Sequence, residues 1–171
     1  MHLHLTADLH LTIHDEALDI FAVQETRVTP DAPDVIGKDL APMGYRVINS
    51  RRREGHKDRG LAFIYRDHLN VKPIKSLLNP STLEVLAVNI IIGTQRFIIA
   101  NIYGFHGFGV LDFLDELSEL EEILSAAVGH LILVGDYNCP GVSQDTIDVH
   151  LGTWLFCHIH AAINDGPTRI H

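Results

Sequence analysis

Short apolar runs separated by polar and turn-forming residues dominate the chain and predict a fold rich in β-strands. From Leu18, the sequence LDIFAVQE is a run of strand formers ending in polar residues, which indicates a buried strand followed by Glu25. Further strands are predicted as a meander at YRVINS, GLAFIYRD and NVKPIKS, and another at LILVGD. In STLEVLAVNIIIGTQRFIIANIYG, Gly93-Thr94 separates two β-branched runs, which predicts a hairpin.

Helical spacing appears between and before these runs. Residues 3–18 are compatible with an amphipathic helix whose apolar face carries Leu5, Leu9, Ile13 and Leu18. Residues 111–128 have apolar positions at helical spacing with acids between them, and Gly129 is expected to close this helix. Shorter helices are predicted at 34–40 and 146–156. Strands mixed with outlying helices, and joined partly by hairpins, predict an α/β fold: a β-sandwich of mixed sheets flanked by helices.

The composition indicates one globular domain covering residues 1–171. The chain is 46% hydrophobic and 20% charged, and no low-complexity tract marks a linker. No apolar run reaches the roughly 18 residues of a membrane span, and the start of the chain lacks the features of a signal peptide. Cys139 and Cys157 are too few for a disulfide framework. We therefore expect an intracellular protein that is neither secreted nor bound to a membrane.

Charge and metal-ligand patterns add two local signals. The net charge of −9 argues against binding nucleic acid by bulk electrostatics. The one dense basic cluster, which contains Arg51, Arg52 and Arg53, is either a solvated loop or a local contact to a DNA backbone. Cys157, His158 and His160 could bind zinc in principle, but their spacing fits no common structural zinc site.

Polar side chains follow three of the predicted strands where a plain core would not require them. These residues are Glu25, Tyr103, and the pair Asp136 and Asn138. Grouped at strand ends, they could form a phosphate-cleaving site: Glu25 would bind Mg²⁺, Asp136 would orient or deprotonate a water, Asn138 would hold that water or a phosphate oxygen, and Tyr103 would stabilise charge. The alternative is structural, because Asp-x-Asn before Pro-Gly is also an ordinary turn composition.

A family resemblance joins these motifs. Gln24-Glu25-Thr26, RGLAFIYRD from Arg59, Asn101-Ile-Tyr103, GDYNCPG from Gly135, and Gly166-Pro-Thr168 together resemble the endonuclease/exonuclease/phosphatase superfamily. The pattern is most similar to the apurinic-type endonuclease domain of LINE-type non-LTR retrotransposons, in register from about Ala17 onward. The resemblance implies a four-layer DNase I-like fold and metal-assisted cleavage of a DNA phosphodiester with Mg²⁺ or Mn²⁺.

The same resemblance implies roles for individual residues. Glu25 would bind the metal, Tyr103, Asp136 and Asn138 would be catalytic, and Thr168 would lie near the substrate pocket. Separately from the resemblance, the basic cluster adds Arg51, Arg52 and Arg53 as candidate substrate contacts, with a solvated loop as the alternative. As partner the resemblance implies DNA, with a reverse transcriptase domain in a parent polyprotein, and it makes a nuclear location conceivable.

The chain also departs from the family pattern. The Asn-bearing first strand and the late Ser-Asp-His motif are missing, and Gly104-Phe105-His106 follows Tyr103 where Arg-Pro-Pro is common. His171 lies too close to Thr168 to replace the missing histidine. We therefore expect a fragment of a larger enzyme, incomplete at both ends. Two alternatives to an active endonuclease stay open: a catalytically dead remnant that at most binds DNA or a protein, and a superfamily phosphatase acting on a phosphoinositide, nucleotide or sphingolipid.

Overall fold

The structure, a computed structural model, describes residues 2–26, 40–50, 60–75 and 80–138. These residues form the elements α1 (His2–Asp15), β1 (Ile20–Val23), β2 (Tyr45–Asn49), β3 (Ala62–Arg66), β4 (Asn70–Pro73), β5 (Leu83–Ile92), β6 (Gln95–Gly104), α2 (Val110–Ser125) and β7 (His130–Asp136). Each strand predicted from the sequence is present, although β4 ends before the predicted Ile74-Lys75-Ser76. The helix predicted at 146–156 lies outside the described residues, as does nearly all of the one predicted at 34–40.

Both described helices confirm the predicted spacing, with shifted ends. The first helix stops at Asp15, so Leu18 lies beyond it, and its Ile13 is fully buried. The second stops at Ser125 with Ala126 as its C-cap, so Gly129 belongs to the link before β7 rather than to the helix end. In the part of the chain that the structure describes, no helix is both long and apolar enough to cross a bilayer.

The smaller sheet has the strand order β1-β3-β2, and all of its pairs are antiparallel. At one end, Arg66 Nε lies 2.8 Å from Asp19 Oδ1 and ties the start of β1 to the end of β3. At the other end Val23 pairs with Ala62. The segment that follows β1 therefore leaves the sheet beside the residues that precede β3.

The larger sheet has the order β4-β5-β6-β7, with β6 and β7 parallel and the other pairs antiparallel. Its hairpin turns at Gly93-Thr94, as predicted, with Ile92 paired to Gln95. The helix α2 makes the crossover between the parallel strands. The prediction of a mixed sheet is confirmed, but the predicted three-strand meander is wrong. Both edges of β3 are occupied by β1 and β2, so β4 pairs with β5 in the other sheet.

Alternate residues of β6 build two layers of core. Ile98, Ala100 and Ile102 pack with apolar side chains of α2, including Leu117 and Leu120. In the second layer, Ile99 and Tyr103 pack with residues of β3 and β5 and with the residue that precedes β3. These are Leu61, Phe63, Leu86, Val88 and Ile90. Successive side chains of a strand point to opposite faces of the sheet, and here both sets are buried, so β6 is covered on both faces. The larger sheet therefore lies between α2 and the smaller sheet.

One carboxyl group is buried on the sheet-facing side of α2. Glu121 is only 3% exposed, and its Oε1 has no hydrogen-bond partner in the described structure. Burial raises the pKa of Glu121 from its ordinary value of 4.5 to about 7, because desolvation penalises the charged form. A raised pKa means that the folded state binds this proton more tightly than the unfolded state does.

Glu121→Gln is therefore expected to stabilise the protein above pH ~7 and to have little effect near pH ~4. The free energy of unfolding of the wild type should fall as pH rises from 4.5 to about 7, because only the folded carboxyl resists ionisation there. The gain at high pH is at most about 3 kcal/mol. Urea unfolding at both pH values measures it, with the exposed Glu122→Gln as control. Equal gains in the two variants would contradict the expectation.

Candidate active site

Three strand ends meet at one edge of the sandwich. Because β6 and β7 are parallel, both end at this edge, and Tyr103 pairs in register with Asp136. From the smaller sheet, Glu25 follows the end of β1, and its Oε1 accepts a hydrogen bond from Tyr103 Oη at 2.6 Å. Glu25, Tyr103 and Asp136 are thus brought together, although 111 positions separate the first from the last in the chain.

Tyr103 links the core to this edge. Its ring belongs to the apolar layer between the sheets, and the residue is 6% exposed. Its hydroxyl nevertheless reaches Glu25, which is exposed. A buried tyrosine usually keeps its hydroxyl hydrogen-bonded at a polar boundary, and here the partner is a carboxylate. The ring is therefore fixed by packing while the hydroxyl points to the exposed edge.

The backbone at Glu25 has an unusual conformation. Its φ is +52°, in the left-handed region that non-glycine residues seldom adopt. The next residue is held across the sheet, because Thr26 N–H donates to Gly60 O at 3.0 Å. Strained backbone of this kind persists only where the surroundings enforce it, and it is concentrated at functional sites.

A buried amide supports the same region. Asn101 is fully buried on β6, and its Nδ2 donates to Val23 O at 3.0 Å and to Ala62 O at 3.2 Å. Its Oδ1 accepts from Gln24 Nε2 at 2.6 Å. Asn101 therefore joins the larger sheet to the end of β1 and to the start of β3, and its partner Gln24 directly precedes Glu25. The sequence offered a signal, since an amide interrupts the apolar run IIANIY.

Asp136 and Asn138, at the end of β7, form a local turn at the same edge of the sandwich. Asn138 N–H donates to Asp136 Oδ1 at 3.2 Å, and Asn138 has a φ of +41°. This is the Asx-type turn that the composition suggested. Asp136 is exposed and Asn138 half-buried. The turn and the proposed chemistry are compatible, because Asp136 has a second carboxylate oxygen and the Asn138 side chain takes no part in this bond.

Two glycines allow the strand ends to approach. Gly135 has a φ of +141°, and a Cβ there would collide with the backbone of Ile102, its partner on β6. A Cβ on Gly104 would collide with the carbonyl oxygen of Tyr137. The Gly-Asp motif is therefore needed for close approach, and this approach puts Asp136 beside Tyr103.

Other predicted site residues lie outside the described residues. They are Thr168, Arg51, Arg52, Arg53 and the possible zinc ligands Cys157, His158 and His160. Within the described ranges, no cluster of three or more His, Cys, Asp or Glu side chains could hold a metal ion. The predicted metal ligand at this edge, the carboxylate of Glu25, suits Mg²⁺, which commonly takes one or two protein carboxylates with water and substrate oxygens. It does not suit zinc, which prefers nitrogen and sulfur ligands in closed sites.

The fold agrees with comparison to known families. The model of the Endonuclease/Exonuclease/phosphatase family matches residues 4–170. The chain therefore belongs to this family, and its sandwich of mixed sheets with helices is consistent with the DNase I-like fold expected from the sequence. A comparison with curated protein sequences gave no match.

Solved structures support the same fold. The endonuclease domain of TRAS1, a telomere-specific non-LTR retrotransposon, is 20% identical with a TM-score of 0.62, covering 94% of this chain and 69% of that domain. D. rerio TDP2 complexed with a single-strand DNA product is 17% identical, with a TM-score of 0.59 and coverage of 86% and 57%. The human Nocturnin catalytic domain is 16% identical, with a TM-score of 0.55 and coverage of 85% and 60%. The chain thus spans less than two thirds of the last two.

Proposed function

We propose that the chain is a divalent-metal-dependent phosphodiesterase of the endonuclease type that nicks DNA. The observation that carries the proposal is the grouping of Glu25, Tyr103 and Asp136, from three strand ends, at one exposed edge. Packing does not require two acids and a phenol there. In-line attack on phosphorus does require a held cation, a positioned water and a donor to the developing charge.

Each residue has a role that its position supports. Glu25 would hold Mg²⁺ or Mn²⁺, and the bound ion would neutralise charge on the phosphate. Asp136, exposed at the end of β7, would orient the attacking water and accept its proton. The Asn138 amide would donate to a phosphate oxygen. The Tyr103 hydroxyl, which donates its single proton to Glu25 in this structure, would turn that proton to a phosphate oxygen when a metal ion takes the Glu25 carboxylate, and would so stabilise negative charge on the phosphate.

DNA is the proposed substrate because one similar structure, that of TRAS1, is an endonuclease domain, and another, D. rerio TDP2, is complexed with a single-strand DNA product. With a net charge of −9, binding would depend on local contacts, and Arg51, Arg52 and Arg53 are the proposed backbone contacts. Thr168 is proposed to lie near the substrate pocket. A retrotransposon origin would further imply a reverse transcriptase domain in the same polyprotein. It would also imply that the DNA target lies in the nucleus.

Conversion of supercoiled plasmid to relaxed circles by the purified chain tests the proposal. We expect nicking in Mg²⁺ or Mn²⁺ and none in EDTA, because removing the ion leaves the phosphate charge uncompensated. Competition by a phosphoinositide or a nucleotide separates DNA from the other substrates of such folds. If the folded protein leaves plasmid intact with either ion, the proposal that it nicks DNA is wrong, and the two alternatives are a catalytically dead remnant and a phosphatase with a non-DNA substrate.

A further inference from the structure

A third carboxylate, Glu84, lies behind the candidate site, and no sequence motif marks it. It stands on β5 directly opposite Tyr103 of β6 in the antiparallel register. Side chains of such a pair project from the same face of a sheet. Glu84 therefore projects toward the smaller sheet, as Tyr103 does.

Both oxygens of Glu84 bind groups of the smaller sheet. Oε1 accepts a hydrogen bond from Ser50 Oγ at 2.9 Å, and Oε2 accepts one from Gly60 N–H at 3.1 Å. Ser50 Oγ in turn accepts from Leu61 N–H at 3.0 Å. These donors follow β2 and precede β3. A carboxylate engaged by donors on both oxygens is better suited to holding backbone than to binding a metal ion.

Gly60 connects Glu84 to the backbone next to Glu25. While its N–H binds Glu84, its carbonyl oxygen accepts the hydrogen bond from Thr26 N–H at 3.0 Å. Thr26 directly follows Glu25, whose φ of +52° must be enforced by its surroundings. Glu25 then binds the Tyr103 hydroxyl, and Tyr103 is paired with Glu84. The contacts thus form a closed ring through both sheets.

We propose that Glu84 is a positioning residue for the candidate metal site: it fixes Gly60, and through Gly60 it keeps the Glu25 carboxylate at Tyr103. This inference rests on the proposed function for its catalytic consequence. The positioning itself depends only on the hydrogen bonds of the ring, so it has a readout that needs no DNA cleavage.

Two substitutions at Glu84 separate hydrogen bonding from charge. In Glu84→Gln, the amide oxygen can accept from Gly60 N–H while the amide N–H donates to Ser50 Oγ. In Glu84→Ala, both contacts are lost. We expect the alanine variant to bind Mn²⁺ about 10- to 100-fold more weakly without DNA present, as is usual when support of a metal ligand is removed, and the glutamine variant to stay near wild type.

The control is Asp19→Ala, which removes a carboxylate from the opposite end of β1, where it binds Arg66. This variant should lose some stability without weakening Mn²⁺ binding. Mn²⁺ binding is measured by electron paramagnetic resonance of free Mn²⁺. The hydrogen bond from Thr26 N–H to Gly60 O is monitored by amide hydrogen exchange at Thr26. We expect faster exchange at Thr26 in Glu84→Ala alone.

The outcomes distinguish this inference from the proposed function. If the wild type neither nicks DNA nor binds Mn²⁺, the proposed function fails, and faster exchange at Thr26 in Glu84→Ala still supports the positioning. If Thr26 exchange and Mn²⁺ binding in Glu84→Ala match the wild type, the inference is overturned. It is also overturned if Glu84→Gln is as impaired as Glu84→Ala, because charge rather than hydrogen bonding would then matter.

Discussion

Replacing Asp136 with alanine is expected to abolish plasmid nicking, with a loss of about 10²- to 10⁴-fold, the usual contribution of a positioned acid or base. Asp136 is exposed at the end of β7 and paired in register with Tyr103, so its carboxylate is the described group best placed to act on a water near Glu25. The measurement is the rate of relaxation of supercoiled plasmid in Mg²⁺ by purified, folded variant.

Asp136→Asn separates this chemistry from the turn. Its side-chain oxygen can still accept the hydrogen bond from Asn138 N–H, whereas the negative charge is gone. We expect the asparagine variant to be as inactive as the alanine variant and to keep wild-type stability. The exposed Asp115→Ala on α2 is the control for loss of an acid elsewhere. If Asp136→Asn nicks DNA at the wild-type rate, Asp136 serves only the turn.

Local sequence patterns predicted the elements well because each element here follows its own periodicity. The β5–β6 hairpin turns at Gly93-Thr94, and α2 follows the apolar spacing of its buried residues. These local patterns do not determine which distant strands pair with each other. Nothing within NVKPIKS says that both edges of β3 are already taken, so the meander was predicted where the chain in fact crosses to the second sheet.

The same distinction applies to the candidate site. Glu25, Tyr103 and Asp136 were predicted because each interrupts a pattern at a strand end, and the structure brings these three positions together. Their roles in catalysis stay predictions. The supports were missed because their function lies in contacts over long sequence distances: Asn101 to Val23, and Glu84 to Gly60. A polar residue in a strand reveals its partner only after the sheets are stacked.

Glu25→Gln should remove metal binding and nicking while leaving the fold intact. Glutamine matches glutamate in shape, and its side-chain oxygen can still accept the hydrogen bond from Tyr103. What is lost is the charge that a hard cation such as Mg²⁺ requires. Since metal ions contribute several kcal/mol to phosphoryl chemistry, nicking should fall by roughly 10³-fold or more.

Mn²⁺ binding without DNA, measured beside nicking, makes this result specific. The exposed Glu119→Gln on α2 is the matched control, and both variants should unfold at the wild-type urea concentration. If Glu25→Gln keeps Mn²⁺ affinity, the ion is held elsewhere and the strained backbone at Glu25 needs another explanation. If affinity and nicking are lost together at unchanged stability, that strain is maintained for the carboxylate. A φ of +52° at a non-glycine residue is otherwise a conformation in which glycine would serve better.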